Sequence, residues 1–128
     1  MSQTSFNTLR SILAFAAVVE AATGLVLMID PAIVVRLLLG VDASGVGTLL
    51  GRCFGVALLA LGLACWPGPA DSAPAFRAML TYNAFIALYL AYLGAIEKMA
   101  GMLLWPAVAL HAVVALLLLR AWRLEKRT

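Results

Sequence analysis

The chain has 128 residues, of which 65% are hydrophobic and 12% charged, with mean hydropathy +1.05 and a formal net charge of +3. A soluble domain is about half apolar and about a quarter charged, so this composition excludes an ordinary water-soluble domain. The positive charge does not point to nucleic acid: Arg120, Arg123, Lys126 and Arg127, four of the nine basic residues, gather behind an apolar run, which fits membrane orientation and anionic headgroups.

One crossing takes about 20 mostly apolar residues, so the length accommodates four crossings with short connections. The first is expected over about 9–29. Its single arginine, long apolar run and interrupting Glu20 argue against a cleaved signal peptide. Asp30-Pro31 ends it, because the residue before proline avoids helical geometry. The segment 31–39 is too short to cross. Proline at its start and Gly40 past its end predict a short interfacial helix with Arg36 turned to headgroups. A second span is expected over about 48–66, closed by the breaker cluster from Pro67 to Pro74. A third runs over about 76–96, and Glu97 to Gly101 turns the chain into a fourth over about 102–120. The predicted fold is all-α: a single four-transmembrane-helix bundle with an interfacial helix after the first span.

Basic residues set the orientation. Arg10, Arg77, Arg120, Arg123, Lys126 and Arg127 fall on one side, against Arg36 and Lys98 on the other, so both termini are expected in the cytoplasm and the chain in a bacterial inner membrane. Trp66 and Trp122 would mark the cytoplasmic interface and Trp105 the opposite one.

Helices in lipid associate through close backbone approach and interhelical hydrogen bonds. Gly47, Gly51, Gly55 and Gly62 form a stripe down the second span, read as intramolecular packing or as a moving or homodimer seam. In the first span Ala16, Ala17, Thr23 and Gly24 flank Glu20. Tyr82, Phe85, Tyr89 and Tyr92 form an aromatic stripe, read as packing or cofactor contact, whose hydroxyls need partners. Cys53 and Cys65 lie about 18 Å apart along one helix, too far for a mutual disulfide, and read as small buried hydrophobes. Pro106 either starts the last helix or kinks it.

Each span carries one strongly polar residue: Glu20, Arg52, Asn83 and His111. Charged groups within a span normally face the bundle interior. Glu20 and His111 are expected at one level near the midplane, Asn83 about 10 Å above the inner surface, and Arg52 close enough to the outer surface for its long side chain to reach down to Glu20. A buried Glu20–Arg52 pair with His111 beside it is therefore expected, serving either as a pocket for a proton, headgroup or small ligand, or as a polar clasp that fixes helix register. Arg52 alone has a further reading, snorkelling to the interface.

His111 is the single histidine, so haem would need a dimer or a methionine such as Met79 or Met99 as second ligand. The sequence has no metal-ligand spacing, hydrolytic triad or phosphate loop. No metal, cofactor or catalytic residue is predicted, and quinone, lipid and haem stay as minor alternatives.

The stretch from Asp30-Pro31 to Leu37-Leu-Leu-Gly40, followed by Gly51-Arg52-Cys-Phe-Gly55-Val-Ala-Leu-Leu-Ala-Leu-Gly62, resembles small bacterial four-helix membrane proteins of the DoxX-like type and related families of unknown function. The resemblance covers about the first half of the chain. It implies the short interfacial segment and the arginine-glycine opening of the second span, with Arg52 and its glycines as structural positions. It also implies association with quinone-linked or thiol redox partners, although the sequence carries no redox cysteine pair. The glutamate midway along the first span is similar to that of small multidrug-resistance proteins. Three functions follow as expectations: a noncatalytic subunit or accessory protein of a membrane complex or homo-oligomer, a proton-coupled transporter using Glu20, and a lipid- or quinone-binding redox subunit.

Overall fold

The computed structural model describes residues 3–68 and 73–125, and among them every regular element is helical. The order is α1 (Gln3–Ile29), α2 (Pro31–Leu39), α3 (Val46–Ala64), α4 (Ala73–Ala95) and α5 (Leu104–Glu125). Four of these helices are long and apolar enough to cross a bilayer, over Asn7–Ile29, Val46–Ala64, Ala73–Ala95 and Leu104–Leu124. By length and composition the chain is a multi-pass membrane protein.

Two boundaries differ from the expected ones for physical reasons. Pro74 belongs to the first turn of α4, where proline has no intrahelical donor to lose, and so it does not act as a breaker. The helix of the last span continues past Arg120 to Glu125, and Trp122 in its last turns packs on Phe76 with ring centroids 6.0 Å apart. Pro106 sits in the first turn of α5, so it starts the helix and does not kink it. Residues 69–72 of the breaker cluster, and Lys126 and Arg127 of the basic tail, lie outside the described residues.

The bundle consists of two antiparallel pairs. In the first, α1 lies on α3, and small residues let their backbones nearly touch. A Cβ added at Gly24 would lie 2.6 Å from the Gly55 carbonyl oxygen, and one at Gly62 would lie 2.6 Å from that of Ala17. Gly51 meets Pro31 of α2 in the same way, at 2.7 Å. Gly47 has nothing within 4 Å, so the packed stripe starts one turn later than the sequence pattern suggested. In the second pair α4 lies on α5. Gly94 receives Leu104 and Trp105 near the end where the chain turns between them.

The two pairs meet chiefly along α1 and α5. Toward the end of the bundle where α1 begins, Leu9, Leu13, Ala16 and Ala17 of α1 form an apolar core with Cys65, Phe76, Met79, Val114 and Leu118. At the opposite end α2 bridges the pairs. Asp30 caps it through Oδ1, which accepts from the Ala32 and Ile33 amides at 3.1 and 3.3 Å. Gly40 ends it in the left-handed region at φ 71°, with its amide donating to Arg36 O. Two further carbonyls at that end, Leu37 O and Leu38 O, accept from the Leu103 and Gly101 amides, each at 2.8 Å. The short helix is thus anchored to α3 by Pro31 and to the α4–α5 turn by its last carbonyls. An exposed Arg36–Asp42 ion pair at 2.8 Å closes the following loop.

Three of the four aromatics on the α4 stripe and one of the two cysteines lie on the outside. Phe85, Tyr89 and Tyr92 face outward on α4. Tyr89 and Tyr92 stack at 6.4 Å, and the Tyr92 hydroxyl donates to Glu97 at 2.6 Å. Of the two cysteines, both free, Cys65 is buried as expected but Cys53 is exposed, since residue 53 falls off the Gly51–Gly55–Gly62 face.

Candidate functional site

At the edge of the face that α1 packs on α3, between Ala17 and Gly24, Glu20 carries a carboxylate into the seam between the two pairs. Glu20 is only 1% exposed and follows Leu13, Ala16 and Ala17 on the buried stripe of α1. On α4 the buried positions Phe76, Met79, Asn83, Ala87, Leu90 and Gly94 recur every three or four residues, so Asn83 is carried inward by the helical period. On α5, His111 stands midway between the buried Leu104 and Leu118, seven residues from each, on the same stripe.

These three elements bring Glu20, Asn83 and His111 together, with Tyr82 as a fourth member. The Asn83 amide nitrogen donates to Met79 O at 2.9 Å, which leaves its Oδ1 as an acceptor. The His111 Nδ1 lies 2.8 Å from that oxygen. Nδ1 therefore carries a hydrogen, and a neutral imidazole here keeps its lone pair on Nε2. The same Nδ1 is 3.7 Å from Glu20 Oε1, an electrostatic contact beyond hydrogen-bond length. The Tyr82 hydroxyl interacts with the Glu20 carboxylate, and its ring meets His111 nearly at right angles, with centroids 5.9 Å apart. Among the described residues no buried side-chain nitrogen or oxygen lacks a partner. A buried carboxyl group is costly in lipid, and here a phenol and an imidazole lie beside it.

Arg52 is not in this set. It is exposed on α3, and no ion pair joins it to Glu20 among the described residues. The helix register explains why. Ala17 opposite Gly62 and Gly24 opposite Gly55 put Glu20 level with Leu59, which is seven residues, or about 10 Å, from Arg52. The Glu20 carboxylate is also turned toward His111 of α5. The expected Glu20–Arg52 pair is replaced by Glu20–Tyr82–His111. Asn83 lies deeper than its expected level, because α4 begins at Ala73 and so places it ten residues, about 15 Å, into the span.

Tyr82 was legible only as one of four aromatics. Its distinguishing feature is level and not helical phase: Tyr89, seven residues on, shares its face yet is exposed, whereas Tyr82 stands beside Asn83 at the level of His111. The glycine residues of the expected packing set divide likewise: Gly51, Gly55 and Gly62 make contacts within the chain, and Gly47 does not.

Chemically the cluster can hold a proton among a carboxyl group, a phenol and an imidazole. Among the described residues no group of three or more potential metal ligands comes together. No family model, curated protein or solved structure matches the chain.

Proposed function

We propose that this chain is a small noncatalytic membrane protein, a subunit or accessory protein of a larger membrane complex, in which Glu20, Tyr82, Asn83 and His111 act as a polar clasp between two helix pairs. The observation that carries this reading is the burial of Asn83 and Glu20, both 1% exposed, against polar groups of neighbouring helices. Asn83 donates to Met79 O and accepts from His111 Nδ1, and Glu20 Oε1 lies 3.7 Å from that same nitrogen, so α1 is tied to the α4–α5 pair by a polar contact at the seam.

Interhelical hydrogen bonds of this kind are worth about 0.6–2 kcal/mol each in a membrane, enough to fix register where the small-residue packing is sparse. Meanwhile α3 packs mainly on α1 and α2, and its outward residues Leu49, Leu50, Val56 and Leu63 are available to lipid or to another membrane protein. The grouping of Arg10, Arg77, Arg120 and Arg123 at one end supports cytoplasmic termini in a bacterial inner membrane. The order of a long helix, a short helix and three further long helices agrees with DoxX-like kinship, which remains part of the proposal.

Extraction from native membranes in a mild detergent, followed by native mass spectrometry, tests the reading. A stoichiometric complex containing a second membrane protein is expected, and a lone monomer overturns it. The position of Glu20 at the seam between two helix pairs favours a second reading, a small proton-coupled transporter. Reconstituted into vesicles loaded with a pH-sensitive dye, the protein should then show a flux that Glu20→Gln abolishes, whereas the clasp reading requires no such flux.

A further inference from the structure

We propose that the outer face of α5, near its C-terminal end, binds one anionic phospholipid, with the phosphate on Arg120 and Arg123, Leu124 beside the headgroup, and the start of an acyl chain along Leu116 and Leu119. These five residues line an open groove of about 310 Å³.

The groove is built by helical phase. Val114, Leu118 and Trp122 turn inward, where Val114 and Leu118 are buried and Trp122 packs on Phe76. Leu116, Arg120 and Arg123 lie on the opposite side and are exposed. The two arginines are three residues apart, so their side chains leave the helix about 5–6 Å from each other, close enough to share one phosphate.

Depth selects the ligand. Arg120 and Arg123 fall in the last turns of the span Leu104–Leu124, where a headgroup phosphate lies, while Leu116 lies a turn deeper at acyl-chain level. A helix C-terminus carries about half a negative charge, so a bare helix end would repel an anion. Two full positive charges outweigh it. Phosphate and guanidinium are complementary in charge and in geometry, and a zwitterionic headgroup offers no net charge to this pair. The inference does not depend on the assembly role proposed above.

The test uses the full chain in nanodiscs of equal phosphatidylglycerol and phosphatidylcholine, with the lipid retained on ejection counted by native mass spectrometry. The wild type should retain phosphatidylglycerol preferentially. Each interfacial arginine contributes about fivefold to anionic-lipid binding, so Arg120→Gln/Arg123→Gln should lower that preference by about 25-fold. Arg77→Gln, which removes a charge at the same end but outside the groove, should leave it unchanged. Arg120→Lys/Arg123→Lys should keep most of it and shows that the fold tolerates change there. Leu116→Trp, which fills the groove and spares both charges, should reduce retention as well. Equal retention of the two lipids by the wild type would overturn the proposal. So would an undiminished preference in the double glutamine variant, or displacement of the lipid by millimolar inorganic phosphate, which would indicate a site for the free anion.

Discussion

Alanine at Gly55 should destabilise the protein by about 1–2 kcal/mol, whereas alanine at Gly47 should leave stability unchanged or raise it. A Cβ at Gly55 would lie 2.7 Å from Gly24 O and 2.9 Å from both Leu27 Cβ and the Met28 amide nitrogen. These distances fall about 0.5–0.7 Å short of the 3.4 Å at which ordinary contact begins. Two of the three obstacles are backbone atoms, which cannot rotate aside, so α1 and α3 must separate along their whole line of contact. Overpacking of this kind costs about 1–3 kcal/mol, offset by at most about 1 kcal/mol from the better helix propensity of alanine. At Gly47 nothing lies within 4 Å, and only the propensity gain remains. Cys65, buried and free, provides the reporter. In a Cys53→Ser background, a thiol-reactive dye follows its exposure during heating in mild detergent. Equal shifts for the two alanine variants would show that the contact face of α3 has been misassigned.

Three further outcomes follow from individual contacts. Asn83→Ala leaves the His111 Nδ1–H without its acceptor and should cost about 1–3 kcal/mol in the same melting assay, the penalty of an unsatisfied buried donor. Arg52→Gln should change stability by no more than about 0.5 kcal/mol, because Arg52 is an exposed residue on α3 and not a partner of Glu20; a loss comparable to that of Asn83→Ala would restore the pairing. Asp30→Ala removes the acceptor of the Ala32 and Ile33 amides and should weaken α2 by about 1 kcal/mol, read as faster hydrogen exchange at those two amides with little change in α4.

The long spans and the short second helix were legible because hydropathy and the Asp-Pro and leucine-glycine boundaries act locally, within a few residues. Asn83 and His111 could be named as inward-facing for the same reason, since a polar group in lipid needs a partner whatever the fold. Their partners were not legible. Depth estimates placed Arg52 within reach of Glu20, yet depth is one coordinate and helix rotation is another. The rotation of α3 is fixed by Gly55 and Gly62 against Gly24 and Ala17, and by Gly51 against Pro31, contacts between segments that no single-helix pattern reveals. Tyr82 was hidden by its neighbours: it shares a face with Tyr89, seven residues on, and only its level beside His111 and Glu20 sets it apart from the aromatics that meet the bilayer. The start of α4 was missed because Pro74 reads as a stop from its composition and is a first-turn residue in its geometry.

The hydrogen bonds from Gly101 and Leu103 to the last carbonyls of α2 bear on how the chain is made. Synthesis delivers α1, α2 and α3 before any residue of the α4–α5 turn exists. Until that turn arrives, Leu37 O and Leu38 O have only interfacial water, and Gly101 has yet to reach the Leu37 and Arg36 carbonyls against which it packs. The contacts between α1 and α3 lie wholly within the first half, whereas the bonds that fasten the end of α2 come from the second. Biogenesis therefore has a natural order, in which the last hairpin to leave the ribosome locks the membrane face built first, and a chain truncated after α3 would present quality-control proteases with a frayed helix end at the bilayer surface.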